Sequence, residues 1–118
     1  MNLQPGDVVL AWFPNASGIG GKWRPSVVVQ NNEDNRKIGN TVIAFVTSVL
    51  LRRGDKSHVF IDISTPEGKQ TGLLKNSLVS CNNIATIEQN VISKTIGSLA
   101  VSTLKEVNAC LRAALEIP

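Results

Sequence analysis

The chain has 118 residues, 42% hydrophobic and 18% charged, which fits one compact domain over residues 1–118 with a modest core. Its formal net charge is +3, a mild basic bias that suits a polyanionic partner without requiring one. The apolar runs, residues 27–29 and 42–46 among them, fall far short of the roughly 20 residues that cross a bilayer, so a membrane-spanning helix is excluded.

Residues 1–5 show neither the basic flank nor the apolar stretch of a secretion signal, so the cytoplasm is the expected location. From there apolar segments recur at short intervals, separated by Gly, Pro, Asn and Asp, the pattern of a small barrel or sandwich. The first strand is expected over residues 7–13 and a flexible loop over 14–21. The second strand is expected over 24–31, a polar turn over 32–40 and a third strand over 41–47. Residues 57–63 alternate: Val59, Ile61 and Ile63 point one way, His58, Phe60 and Asp62 the other. Two more strands are expected near 77–88 and 91–99. The period then changes, because Leu104, Val107, Leu111, Ala114 and Leu115 form one stripe of a helix. Thr103-x-x-Glu106 is a candidate capping box at its start. The fold class is therefore mainly β with α+β character, five or six strands and one terminal amphipathic helix.

Several short motifs carry candidate chemistry. Gly18-Ile19-Gly20-Gly21-Lys22 has the glycines of a phosphate loop, but Trp23 and a strand follow where a P-loop needs Ser or Thr and a helix. A mobile loop able to cover a substrate is the better reading. Arg24 precedes Pro25 at the mouth of the second strand, where it can face a phosphate or stand as a solvated edge charge. Thr47 and Ser48 end the third strand, and their hydroxyls can bond a phosphate oxygen or cap the next loop. Arg52, Arg53 and Lys56 make a basic loop, either a solvated face or an edge that contacts an RNA backbone; Arg36-Lys37 reads the same way. Trp12, Phe13 and Trp23 flank the glycine loop. One of the first two is expected in the core, while Trp23 is open to stacking on a base or to packing. His58 is the single histidine, so no two-histidine acid–base site fits within one chain. Cys81 and Cys110 match no zinc spacing. Two reduced, largely buried thiols are expected, a disulfide remains open, and no metal or cofactor is expected.

The order of these signatures resembles the MazF/PemK toxin family. It runs from Gly6-Asp7-Val8-Val9 through a glycine loop to Arg24-Pro25-Ser26-Val27-Val28-Val29-Gln30-Asn31-Asn32. Thr47-Ser48, Ser57-His58-Val59, Gly72-Leu73 and Ser77-Leu78-Val79 come next. Ile84-Ala85-Thr86-Ile87, Ile96-Gly97-Ser98-Leu99 and the terminal helix complete it. The resemblance implies an SH3-like barrel of the MazF/CcdB type, a homodimer and metal-independent cleavage of single-stranded RNA. It also implies a cognate antitoxin that covers the RNA groove. The family's catalytic pair falls on Arg24 and Thr47. Lys22, Trp23, Ser48, Arg52, Arg53, Lys56 and His58 are the candidate RNA-binding residues. Asn76 stands where many members carry an acid, and Ala85 where many carry Arg. Two other readings go with the same fold: a toxin that binds DNA gyrase, and an inactive barrel that binds RNA or protein.

Overall fold

The computed structural model describes residues 2–118. Six strands form one antiparallel sheet: β1 (Asp7–Pro14), β2 (Gly21–Val28), β3 (Asn40–Thr47), β4 (His58–Ile61), β5 (Ser77–Glu88) and β6 (Ile92–Ser98), in the order β4-β5-β3-β2-β1-β6. Among the described residues three α-helices accompany it, α1 (Asn32–Lys37), α2 (Pro66–Gln70) and α3 (Val101–Leu115), and one 3-10 turn, Gln89–Val91, joins β5 to β6. The mainly β architecture with a terminal helix is as the sequence implied. None of the described helices is long and apolar enough to cross a membrane.

The sheet buries both faces, which is why several strands read as continuous apolar runs. On one face Val8, Val27, Ala44, Val46, Val59, Ile61, Val79 and Cys81 meet Leu99 and Val107, with Leu104 and Leu111 of α3 packed against them. On the other, Val9, Ala11, Val28, Ile43 and Ile92 meet Leu3, Phe13 and Phe45. Register shifts between β1 and β6, and at Ala44/Phe45 opposite β5, interrupt the ladders; such bulges bend a sheet and increase its twist.

β2 lies three residues earlier than its apolar run indicated. The hairpin with β1 runs from Val8 opposite Val27 to Pro14 opposite Gly21 and draws residues 21–23 into the strand. The expected polar turn holds α1. Asn31 caps it by accepting from the Asp34 N–H at 2.8 Å, with Glu33 and Asp34 in the first turn and Arg36 and Lys37 in the last, matching the helix dipole. Buried Asn35 anchors it to the sheet: its Oδ1 accepts from Gln30 Nε2 at 2.9 Å and from Thr41 Oγ1 at 2.7 Å. α2 was not expected; Thr65 caps it and Pro66 opens it.

Three finer expectations are corrected. The Thr103/Glu106 capping box does not form, because α3 begins three residues earlier with Ala100 at the cap and no side-chain cap bond. Thr103 is instead buried within the helix. Leu115 ends the helix half-exposed, past the sheet it was expected to cover. Ile63 does not share the burial of Val59 and Ile61, because β4 ends at Ile61.

Cys81 is buried, Cys110 half-buried, and both are free thiols. Each donates weakly to a backbone carbonyl, Cys81 to Val107 and Cys110 to His58. Burial pushes the Cys81 thiol up to about 12, so it is protonated and inert as a nucleophile at neutral pH.

Gly72 marks the tightest crossing of the fold. Its φ is +74°, and a Cβ there would strike the Ile96 backbone, while a Cβ on the neighbouring Gly97 would strike the carbonyls of Gln70 and Thr71. The segment after α2 therefore lies directly on β6. Gly72→Ala combines left-handed backbone strain with a steric clash and is expected to cost roughly 2–4 kcal/mol. Thermal unfolding should show Tm lowered by roughly 10 °C or more; an unchanged Tm would refute the close crossing.

Candidate functional site

β2 pairs with β3 only over residues 26–28, from Ser26 opposite Phe45 to Val28 opposite Ile43. Before Ser26 it stays with β1, while β3 continues to Thr47 beside β5. The two strands thus diverge. The gap between them opens into a groove of about 740 Å³, walled by Leu10, Lys22, Arg24 and Pro25 on one side and by residues 46–49 on another. Residues 72–75 with Ser77, and Lys94 with Ile96, close the rest. Gly72 places its segment there through the crossing with β6.

The groove brings together four of the residues singled out in the sequence: Arg24, Thr47, Lys22 and Ser48. Arg24 and Lys22 are exposed, and Arg24 takes part in no salt bridge among the described residues. Thr47 is half-buried, and its Oγ1 accepts from the Val49 N–H at 3.1 Å. That bond is the loop cap considered for this residue. It occupies a lone pair and leaves the hydroxyl proton to donate into the groove.

Lys75 and Lys94 also line the groove, and sequence reasoning passed over both. Lys94 stands opposite Leu10 in the β6–β1 ladder. Lys75 is carried by the loop leading into β5. That loop is pinned by Asn76, whose Oδ1 accepts from the Ile63 N–H at 2.9 Å, and by Ser77, whose hydroxyl donates to the Lys75 carbonyl at 2.8 Å. The Asn76 departure therefore keeps an acceptor at its position. Ala85, the other departure, is partly buried against the second core cluster. The lining includes Lys22, Arg24, Lys75 and Lys94 and no Asp or Glu. Cationic side chains without an internal counter-ion, backed by an apolar floor, concentrate an anion in the groove.

The remaining candidates lie outside the groove lining. Trp23 is 51% exposed and meets Trp12 edge-on, ring centroids 5.2 Å apart. Phe13, not Trp12, is the half-buried neighbour, tilted against Phe45 at 4.8 Å. Arg53 lies over the Phe60 ring, 3.6 Å from its centroid, and Arg52 pairs with Asp55 at 3.5 Å. Lys56 is exposed in the turn before β4. His58 is half-buried, with a buried Nδ1 that has no hydrogen-bond partner. The exposed Asp62 carboxylate is held below its usual range by the Ser64 hydroxyl and N–H. Among the described residues, no group of three or more His, Cys, Asp or Glu is placed to hold a metal ion.

The fold is similar to that of known proteins over nearly the whole chain. The family described as PemK-like, MazF-like toxin of type II toxin-antitoxin system matches residues 4–115. The chain is 28% identical over 107 residues to endoribonuclease MazF of Staphylococcus saprophyticus, covering 90% of this chain and 85% of that protein. Among solved structures it is similar to an endoribonuclease in complex with its cognate antitoxin from a mycobacterial species, with TM-score 0.74 and 24% identity over 98% of this chain and 97% of that one. It is also similar to a MazE–MazF complex of Deinococcus radiodurans, with TM-score 0.78 and 18% identity over 100% of both chains. With six antiparallel strands, a terminal helix and a family match over residues 4–115, this chain belongs to the PemK-like, MazF-like toxins of type II toxin-antitoxin systems.

Proposed function

We propose that this toxin is an endoribonuclease that cuts single-stranded RNA without a metal ion, using the RNA's own 2′-OH as nucleophile. The observation that carries this reading is the placement of Arg24 and Thr47 in one basic groove whose lining has no carboxylate. The name of the staphylococcal relative supports the same activity.

In-line attack of the 2′-OH on the adjacent phosphorus forms a P–O bond and breaks the bond to the 5′-oxygen. The products are a 2′,3′-cyclic phosphate and a 5′-OH end. Negative charge builds on the phosphate oxygens in the transition state. The planar Arg24 guanidinium meets that charge with paired hydrogen bonds, and the Thr47 hydroxyl donates one more. A guanidinium keeps its proton, so Arg24 serves as electrostatic stabiliser and hydrogen-bond donor and not as general base; water takes the proton released by the 2′-OH and water supplies the one gained by the departing 5′-oxygen. Lys22, Lys75 and Lys94 attract the backbone, and Ser48 adds a hydroxyl beside Thr47. Arg52, Arg53 and Lys56 form an outer basic loop for RNA beyond the groove. His58 is a structural residue in this reading, half-buried and outside the groove.

The working form is a cytoplasmic homodimer. The short chain and the exposed Leu51, Leu74 and Val101 side chains support a further apolar interface. The cognate antitoxin neutralises the toxin by covering the groove, a reading supported by the antitoxin-bound mycobacterial and deinococcal structures.

Cleavage of single-stranded RNA is expected to persist in excess EDTA and to leave cyclic-phosphate and 5′-OH ends. A 2′-deoxy substitution at the cut position should leave a substrate that binds and stays intact. Loss of cutting in EDTA with rescue by magnesium, or cutting of the deoxy analogue, would overturn the mechanism.

Arg24→Ala is expected to slow cleavage by about 10²–10³-fold, the scale of one lost transition-state donor. Arg24→Lys should recover little, because a point charge does not reproduce the planar fork. Thr47→Val should impair cutting less than Arg24→Ala, and His58→Ala should be milder again. Single-turnover rates on folded protein, checked by circular dichroism, decide the order. A dead His58→Ala beside an active Arg24→Ala would reverse the assignment.

RNA affinity should fall with salt, and removing Lys75 or Lys94 should each flatten the slope of log K against log salt by about 0.7, the single-strand value per phosphate contact. Titrations of the uncleavable analogue at several salt concentrations measure this. Unchanged slopes would remove both lysines from the RNA path.

A further inference from the structure

Both tryptophans of the chain stand on one exposed patch. Trp12 and Trp23 face each other directly across the β1–β2 hairpin. They are 36% and 51% exposed, although the chain has only five aromatic residues, Trp 2, Tyr 0 and Phe 3. Cross-strand aromatic pairs do stabilise hairpins, yet this pair leaves much of both indole surfaces in water. Gly21 accommodates it: a Cβ there would lie 2.8 Å from a ring carbon of Trp12.

The position of the patch gives it a use. Side chains alternate along the hairpin, so Leu10 with Pro25 and Trp12 with Trp23 share a face, with Ala11 and Arg24 between them on the other. Leu10 and Pro25 line the groove, and Lys94 is opposite Leu10. The tryptophan pair is thus the next row after Lys94, Leu10 and Pro25, about 7 Å farther along the strands. The link from a phosphate to a neighbouring base spans that distance.

We propose that the Trp12–Trp23 pair is a base-stacking subsite continuous with the groove. It takes the nucleobase beside a phosphate held by Lys94, which stands opposite Leu10 on the same face, and so sets part of the cut-site preference. This rests on the nuclease reading above. The favoured occupant is single-stranded RNA because the neighbouring groove is cationic and without carboxylates, and an unstacked base offers an aromatic face next to its own phosphate. A platform of two indoles holds a base by area and favours larger, more stackable purines over pyrimidines.

With two tryptophans and no tyrosine in the chain, tryptophan emission reports this patch alone. The probe is a single-stranded RNA oligonucleotide with 2′-deoxy at the cut position, together with versions abasic at each flanking position. Binding of the intact probe should quench the emission, and one abasic position should abolish the quenching. Trp23→Ala should raise Kd and KM by roughly 5- to 150-fold, the worth of one stacked base, with kcat within about twofold, the scatter of a change outside the reacting centre. Trp23→Phe should restore most of the affinity. RNA that binds with no change in emission, or Trp23→Ala with wild-type KM, would overturn the subsite while Arg24-dependent cleavage left the nuclease reading standing. Sedimentation showing that Trp23→Ala alone dissociates the dimer would assign the patch to a protein contact and also overturn it. A wild-type protein that neither binds nor cuts single-stranded RNA would instead bring down the nuclease reading itself.

Discussion

β2 has two neighbours in the sheet and cannot keep both along its length. It stays with β1 from Gly21 to Val27 but touches β3 only over residues 26–28. Backbone hydrogen bonds on the β3 side of residues 21–25 are given up where the strands part. What is gained is a groove whose two walls are the continuations of one ladder. Arg24, within β2, and Thr47, at the end of β3, therefore stand on strands near the fork and not on free loops, and a site built on strands holds its groups more closely than one built on loops.

The electrostatics follow from the same arrangement. Glu33 pairs with Lys37 on the exposed surface of α1, and Asp55 pairs with Arg52 in the loop before β4. Asp62 turns to Ser64. These carboxylates are engaged locally, away from the groove lining, so the basic side chains there face no internal competitor for an incoming anion. The chain's net charge of +3 understates this, because the sum averages over surfaces that the groove does not share.

The sequence made legible whatever depends on periodicity. Alternation marked β4 at Val59 and Ile61, and the stripe of Leu104, Val107 and Leu111 marked α3, because burial against a sheet imposes those periods. α1 was missed because six polar residues carry no apolar stripe; its signal was Asn31 with Asp34 three residues on, acids first and bases last. Thr103 had the residue types of a capping box but sits too deep in the helix to cap it. At the site, Arg24 and Thr47 were found through a resemblance, since each alone reads as an edge charge or a loop cap. Lys75 and Lys94 carried no motif at all. They meet only because the segment at Gly72 lies on β6 and β6 pairs with β1, contacts between parts of the chain that no local pattern announces.

The pairing of β1 with β6 joins segments about 80 to 90 residues apart in the chain, from Asp7 opposite Ser98 to Ala11 opposite Ile92. Closing so long a loop costs entropy that no local contact returns beforehand. During synthesis the β1–β2 hairpin can form early, but the wall bearing Lys94 cannot be placed until most of the polypeptide has left the ribosome. The groove of this topology is thus completed late, because the wall that bears Lys94 waits on β6 finding β1.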